Sequence, residues 1–176
     1  MIRAAVVGAT GYTGGELLKI LLGHPDVRVT DVISHSRPGQ QLGDVHPFLR
    51  GRMDLTLESY DAKRLASTCD VAFFALPHGV GSKNIADFVA QGKKAIDLSA
   101  DFRLKNVKTY EAWYKVKHAS PSLLKKAVYG LPELYRKEIP GSPLVANPGC
   151  YATATILALT PLVRRKVLVP GSVVVD

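Results

Sequence analysis

Cysteine is scarce in this sequence, with Cys69 and Cys150 as the two residues of its kind among 176. Two cysteines are too few for a disulfide framework, and their spacing matches no metal-binding motif. There is also no apolar run long enough to cross a bilayer and no secretory leader pattern after Met1. These absences argue against a disulfide-rich secreted protein, a metal-binding module and a membrane protein. We therefore expect a soluble protein of the reducing cytoplasm.

The charge balance is basic but dispersed. Lys and Arg total 23 against 15 Asp and Glu, a formal net charge of +8. Such a balance favours anionic small molecules as ligands and would permit nucleic acid. No tract is dense enough to form a nucleic-acid-binding arm, so we expect no nucleic-acid partner.

The first forty residues predict a βαβ unit. A buried strand at Ile2–Val7 leads through a glycine-rich turn into a helix at 16–22, which ends before Pro25. A second strand, rich in β-branched residues, follows at Val27–Ile33. Two strands joined in this way should lie parallel in one sheet.

The same alternation continues along the chain. We predict a long loop with little regular structure at 34–54 and one or two surface helices within 106–126. The remaining predicted helices lie at 61–67, 82–91 and 151–163, and the remaining strands at 71–76, 94–98, Leu144–Ala146 and 173–176. The pattern predicts an α/β fold with a Rossmann-type, doubly wound parallel sheet. The final strand stops at the chain end, as expected for part of a longer protein.

The glycine turn has the spacing Gly8-x-x-Gly11-x-x-Gly14. Between a strand and a helix, glycines let the backbone approach a pyrophosphate, and the helix start offers free N–H groups. Thr10 and Thr13 add hydroxyl donors. The pattern indicates dinucleotide binding, with a tight structural turn as the alternative.

The choice of dinucleotide is predicted from the end of the second strand, which reads Ser34-His35-Ser36-Arg37. This tetrapeptide lacks the carboxylate that usually binds the ribose of NAD, and Asp31 lies inside the strand. Hydroxyls beside a guanidinium suit a 2′-phosphate, which favours NADP. The alternative is a polar loop that faces water.

Cys150 follows Asn147-Pro148-Gly149 and precedes a predicted helix. The helix dipole and free N–H groups at such a position favour the thiolate, the form that acts as a nucleophile. The same N–H groups can hold a developing oxyanion. The alternative, a small buried apolar residue, is the more usual fate of an intracellular cysteine and suits Cys69.

Five motifs in this order resemble the N-acetyl-γ-glutamyl-phosphate reductase family of arginine biosynthesis. They cover essentially the whole chain: GATGYTGGEL at 8–17, LPHG at 76–79, DLSADFR at 97–103, YGLPEL at 129–134 and ANPGCY at 146–151. The family is related to aspartate-semialdehyde dehydrogenase. A paralogue acts on a substrate attached to an amino-group carrier protein.

The resemblance implies a two-step reaction in which Cys150 attacks an acyl phosphate and NADPH reduces the resulting thioester to a semialdehyde. It also implies that NADP is bound by the 8–14 turn, Tyr12 included, and by Ser34, His35 and Ser36. Pro77 and His78 are expected near the nicotinamide. From their motif positions, Arg103 could grip phosphate or carboxylate and Asn147 could orient the acyl group. A surface salt bridge for Arg103 and a turn-forming role for Asn147 remain open.

Family members are about twice this length, so we expect 1–148 to form the NADP-binding domain and 149–176 to begin an α+β substrate domain. Their acid/base histidine is expected beyond residue 176, since the five histidines here lie in other motifs. The fragment alone should bind NADP with little turnover, and the full-length protein should be a homo-oligomer. Alternatives are aspartate-semialdehyde dehydrogenase, the reductase linked to a carrier protein, and a non-catalytic NADP-sensing module.

Overall fold

The computed structural model describes residues 1–169 and 171–175, and within them seven strands form one sheet. The strands are β1 (Ile2–Val7), β2 (Val27–Ile33), β3 (Leu57–Glu58), β4 (Val71–Phe74), β5 (Lys94–Asp97), β6 (Ala127–Tyr129) and β7 (Leu144–Ala146). The helices are α1 (Tyr12–Leu22), α2 (Leu42–Val45), α3 (Ala62–Thr68), α4 (Ser82–Val89), α5 (Val107–Tyr114), α6 (Pro121–Leu124), α7 (Pro132–Tyr135) and α8 (Cys150–Arg164), with a 3₁₀ turn at Pro47–Leu49.

The sheet order is β3-β2-β1-β4-β5-β7-β6, and every neighbouring pair is parallel. From β1 the chain winds outward through β2 and β3, and then continues on the other side of β1 with β4 and β5. This reversal defines a doubly wound sheet and confirms the predicted Rossmann-type α/β fold.

Two apolar clusters cover the two faces of the sheet because side chains alternate along each strand. Val6 packs with Leu18 of α1 on one face. Ala5 and Val7 pack on the other face with Phe88 of α4. Helices therefore cover both faces of the sheet. The loops that follow the carboxyl ends of the strands are then available to form a site.

The two strands of the βαβ unit and the strand at Leu144–Ala146 have the predicted bounds. The helix predicted at 16–22 begins at Tyr12, so the second half of the glycine turn is helical. The helix predicted at 151–163 begins one residue earlier, at Cys150. The surface segment at 106–126 contains two helices but buries Tyr110 and His118, so its description as surface is only partly right.

The loop predicted at 34–54 does have little regular structure, although α2 and the 3₁₀ turn fold within it and bury Leu42 and Leu49. The strand predicted at 173–176 is wrong. Residues 173–175 form no strand, since nothing in the described part of the chain pairs with these exposed valines, and Asp176 lies outside the described residues. The strands β3 and β6 and the helix α7 were not predicted. No helix among the described residues has the length and apolar character needed to cross a membrane.

Candidate active site

Five loops meet at one edge of the sheet because the strands that precede them are parallel. In spatial order these are the Ser34 loop after β2, the glycine turn after β1, the His78 loop after β4, the Arg103 loop after β5 and the Cys150 turn after β7. The crevice between β1 and β4 lies where the winding reverses, which is where open α/β sheets bind ligands. With about 4.8 Å between neighbouring strands, the glycine turn and the Cys150 turn are roughly 14 Å apart.

The glycine turn is shaped by close contacts between main-chain segments. Gly8 has a φ of +88°, and a Cβ there would lie 2.2 Å from the oxygen of Ala75. A Cβ on Gly14 would lie 2.4 Å from the oxygen of Gly8. Gly11 precedes the first residue of α1, and a Cβ there would make an ordinary van der Waals contact, 3.7 Å from the oxygen of Gly8. The first N–H groups of α1 have no acceptor within the helix.

The hydroxyls of Thr10, Ser34 and Ser36 form a chain beside the glycine turn. The Thr10 and Ser34 oxygens are 3.4 Å apart, and those of Ser34 and Ser36 are 3.5 Å apart. The main-chain N–H of Arg37 donates to Ser34 at 3.2 Å. Asp31 is buried and accepts from Arg64 at 2.9 Å, so its carboxylate is already bound within β2 and α3. Ser34 is buried, so the loop presents the exposed side chains of Ser36 and Arg37.

The His78 loop and the following loop are joined by reciprocal hydrogen bonds. The Ala100 N–H donates to Nδ1 of His78 at 2.9 Å, and the Gly79 N–H donates to Oδ1 of Asp101 at 2.7 Å. Since Nδ1 accepts here, the ring proton of His78 lies on Nε2. The hydroxyl of buried Tyr110 also donates to Oδ1 of Asp101, at 2.9 Å. Sequence reasoning missed Asp101, although it stands within the DLSADFR motif.

Asp97, at the end of β5, is buried beneath the Arg103 loop. Burial raises the pKa of its carboxyl to about 6, against the hydrogen bonds that it accepts from the N–H and hydroxyl of Ser99. Its main-chain oxygen accepts from the N–H of Asn147 at 2.8 Å. The main chain of Asp97 is therefore joined to the start of the Cys150 turn, while its carboxyl is held by Ser99.

Cys150 is exposed and is the first residue of α8, after an extended Gly149 that precedes the helix. Within the described residues the thiol of Cys150 is therefore exposed and not part of the apolar core. Cys69 differs in every respect, because it is buried and its thiol donates to the oxygen of Leu65 at 3.1 Å. Burial raises the pKa of the Cys69 thiol to about 11.

Arg103 contacts the main chain of the cysteine turn and that of the segment after β5. Its Nε donates to the oxygen of Asn147 at 2.7 Å, and its Nη2 donates to the oxygen of Leu98 at 3.0 Å. A Cβ on Gly149 would lie 3.1 Å from Nη1. The amide of Asn147, which is exposed, donates to the oxygen of Pro148 at 3.1 Å. Instead of a salt bridge, Arg103 makes main-chain contacts with Nε and Nη2, and its Nη1 faces the residue before Cys150.

The structure thus places all the residues predicted for cofactor, substrate and nucleophile along one edge of the sheet. In residues 1–169 and 171–175, no three His, Cys, Asp or Glu side chains are grouped as metal ligands. The glycine turn with the hydroxyls of Thr10, Ser34 and Ser36, here called the phosphate cradle, lies toward one end of this edge. The exposed thiol of Cys150 lies toward the other end, and hydrogen-bonded loops lie between them.

Comparison with solved structures shows the same fold. Aspartate semialdehyde dehydrogenase II of Vibrio cholerae, in complex with ASA, matches with a TM-score of 0.67 and 19% identity, over 93% of this chain and 47% of that one. The NADP complex of aspartate semialdehyde dehydrogenase from Candida albicans matches with a TM-score of 0.66 and 17% identity, over 94% and 47% of the two chains. At these identities the likeness concerns the fold alone.

Sequence comparison gives much closer relatives. N-acetyl-gamma-glutamyl-phosphate reductase of Geotalea daltonii is 47% identical over the whole chain, and that of Acetivibrio thermocellus is 41% identical. The chain spans about half the length of these curated relatives, 51% in both cases. The family model for the semialdehyde dehydrogenase NAD binding domain matches residues 3–142. The chain therefore belongs to the semialdehyde dehydrogenase NAD-binding domain family.

Proposed function

We propose that this chain is the NADP-binding and nucleophile-carrying part of an N-acetyl-γ-glutamyl-phosphate reductase. The observation that carries the proposal is the order of the loops along the sheet edge, from a phosphate cradle to an exposed cysteine at a helix start. The relatives at 41–48% identity support the substrate class.

The residues present fit NADP. A Cβ on Gly8 or Gly14 would collide with main-chain atoms, so glycine at these two positions lets the turn fold closely against β4 and the start of α1. The first N–H groups of α1, with Thr10 and Thr13, would hold the pyrophosphate. Ser34, Ser36 and Arg37 would hold the 2′-phosphate, with His35 beside them, and Pro77 and His78 would contact the nicotinamide side. When bound there, NADPH would supply the hydride for the reduction.

Cys150 performs the chemistry of the acyl group. Its thiolate adds to the carbonyl carbon of the acyl phosphate, the carbon–oxygen bond to phosphate breaks, and phosphate leaves behind a thioester on Cys150. The free N–H groups at the start of α8 stabilise the oxyanion that forms during this addition. After reduction of the thioester, the carbon–sulfur bond breaks, and Cys150 leaves as the thiolate while the semialdehyde is released. Arg103, through Nη1, and Asn147 would orient the substrate.

We divide the chain at residue 148, with 1–148 as the nucleotide domain and 149–176 as the start of a substrate domain. In support of this division, none of the residues of α8 is buried, and the family match ends at residue 142. Because the relatives are about twice as long, the 176-residue chain should bind NADP with little turnover. We also propose that the full-length protein is a homo-oligomer and that it works in the reducing cytoplasm.

The test is an assay on the full-length polypeptide that contains this chain. We expect NADP- and phosphate-dependent oxidation of N-acetylglutamate semialdehyde that Cys150→Ser abolishes and that Cys69→Ala leaves intact. Activity only with aspartate semialdehyde would identify an aspartate-semialdehyde dehydrogenase, and activity only with a carrier-bound substrate would identify the reductase linked to a carrier protein. Unchanged activity in Cys150→Ser would place the nucleophile elsewhere, and absence of activity with all three substrates would favour an NADP sensor.

A further inference from the structure

His46 connects the segment after β2 to the glycine turn. It stands between α2 and the 3₁₀ turn and is half-buried. Its Nε2 lies 2.7 Å from the main-chain oxygen of Ala9. A carbonyl oxygen only accepts, so Nε2 is the donor and must carry a proton.

The His46 ring also accounts for a glycine that the Gly8-Gly11-Gly14 spacing does not explain. Gly15 lies in the first turn of α1, and a Cβ there would be 2.7 Å from Cε1 and 3.1 Å from Nδ1 of His46. Any side chain at Gly15 would therefore push the ring away from Ala9. Gly15 and His46 form a matched pair, in which the missing side chain makes room for the ring.

The contact with Ala9 controls the direction of the next N–H group. In a planar trans peptide the carbonyl oxygen and the following N–H point in opposite directions. Holding the oxygen of Ala9 toward His46 therefore aims the N–H of Thr10 away from His46. The N–H groups of Gly8 and Ala9 are already held by the oxygen of Ile33, at 2.9 and 3.0 Å. His46 thus fixes the orientation of the Ala9–Thr10 peptide, for which the preceding N–H groups provide no hydrogen bond.

We propose that His46 is a positioning residue for dinucleotide binding, which holds the Ala9–Thr10 peptide of the glycine turn through Nε2 and requires glycine at position 15. The inference rests on the proposed function, because it assigns His46 to the site in which NADP binds. It needs only binding, and so it can be tested on the 176-residue chain.

The test measures NADP affinity by calorimetric titration, together with the midpoint of urea unfolding. His46→Leu removes the donor, and His46→Gln keeps an N–H group at a similar reach. We expect His46→Leu to raise the dissociation constant for NADP about fivefold to tenfold, as for one lost hydrogen bond, and His46→Gln to recover most of the loss. His24→Leu, at the far end of α1, is the matched control and should leave NADP binding unchanged.

A double-substitution cycle isolates the contact. Gly15→Ala should weaken NADP binding in the wild-type background and have little effect beside His46→Ala, because the ring that it strikes is gone. Equal effects in both backgrounds would overturn the inference, as would a His46→Leu variant with wild-type affinity. A loss of NADP affinity in His46→Leu that His46→Gln does not recover would show a merely structural role and would also overturn it. Failure of the wild-type chain to bind NADP would instead defeat the proposed function.

Discussion

The Nε atom of Arg103 lies 2.7 Å from the main-chain oxygen of Asn147, which attaches the guanidinium to the turn before Cys150. The same side chain reaches the oxygen of Leu98 at the end of β5. One arginine thus joins the carboxyl ends of the neighbouring strands β5 and β7. The placement of the thiol at the sheet edge therefore depends on a residue 47 positions earlier in the chain.

Replacing Arg103 should loosen the cysteine turn. Arg103→Ala removes two charge-assisted hydrogen bonds, so we expect the free energy of unfolding to fall by about 1–3 kcal/mol. Arg103→Lys should recover little, because an ammonium lacks the planar fork that reaches two oxygens. Urea denaturation measures both variants, with Arg136→Ala after α7 as an exposed arginine control. Full stability in Arg103→Lys would show that the charge alone matters.

The two thiols should differ in reactivity. With a pKa of about 11, only about a thousandth of Cys69 is thiolate at pH 8, and burial shields it further. Cys150 is exposed at a helix start. Iodoacetamide should therefore label Cys150 well before Cys69, as measured by peptide mass spectrometry over time. In urea both should react at similar rates, and equal labelling of the native protein would contradict the assigned environments.

Local signals predicted the βαβ unit because each element there is long and bounded by glycine or proline. The segment rich in β-branched residues at Val27–Ile33 forms β2 with the predicted bounds. The glycine spacing and the tetrapeptide after β2 likewise predicted a set of cofactor residues, because the chemistry of each motif is contained within a few neighbouring positions.

Non-local contacts could not be predicted. The strand β6 has three residues and pairs with β7, which follows it in sequence but lies between β6 and β5 in the sheet. Nothing in the local sequence shows that Arg103 would bind the main chain of Asn147, or that His46 would reach Ala9, 37 residues earlier. These contacts come from the packing of loops along the sheet edge, which requires the strand order.

Asp97 should make stability depend on pH between about 4 and 6. Its folded pKa of about 6 exceeds the ordinary value of 3.8, so the folded state binds more protons in this range and loses stability as the pH rises. The shift corresponds to roughly 3 kcal/mol. Asp97→Asn should flatten this slope and raise stability at pH 7, as measured by urea denaturation at several pH values. An unchanged slope would show that Asp97 ionises as an exposed carboxyl does.

Asp70 provides a contrast of opposite sign. Hydrogen bonds from Arg3 lower the pKa of Asp70 to about 2. The stability that this pair contributes is present above the ordinary value of 3.8 and is lost as the pH falls through 2. Asp70→Asn should therefore change the dependence of the free energy of unfolding on pH below pH 4. The dependence between pH 4 and 6, which we assign to Asp97, should stay unchanged.

Arg37 should select the phosphorylated cofactor. If its exposed guanidinium binds the 2′-phosphate, Arg37→Ala should raise the dissociation constant for NADP about tenfold or more and leave that for NAD unchanged. The preference should also weaken with added salt. Calorimetric titration with both dinucleotides measures the effect, and Arg28→Ala, at the opposite end of β2, is the control. Equal losses for NADP and NAD would remove Arg37 from the phosphate site.

Alanine substitutions at Gly8 and Gly39 should distinguish two losses of stability, one from a left-handed backbone conformation and one from a steric clash of the added Cβ. Their φ angles are +88° and +86°, but a Cβ on Gly39 meets no atom within 4 Å, whereas one on Gly8 would lie 2.2 Å from the oxygen of Ala75. Gly39→Ala should therefore cost only the left-handed conformation, about 1–2 kcal/mol. Gly8→Ala must also displace main chain, so we expect a loss above roughly 4 kcal/mol together with loss of NADP binding. Equal losses of stability in the two variants would show that the end of β4 moves to accommodate the added methyl group. The close approach of Gly8 to Ala75 would then not be the reason for glycine at position 8.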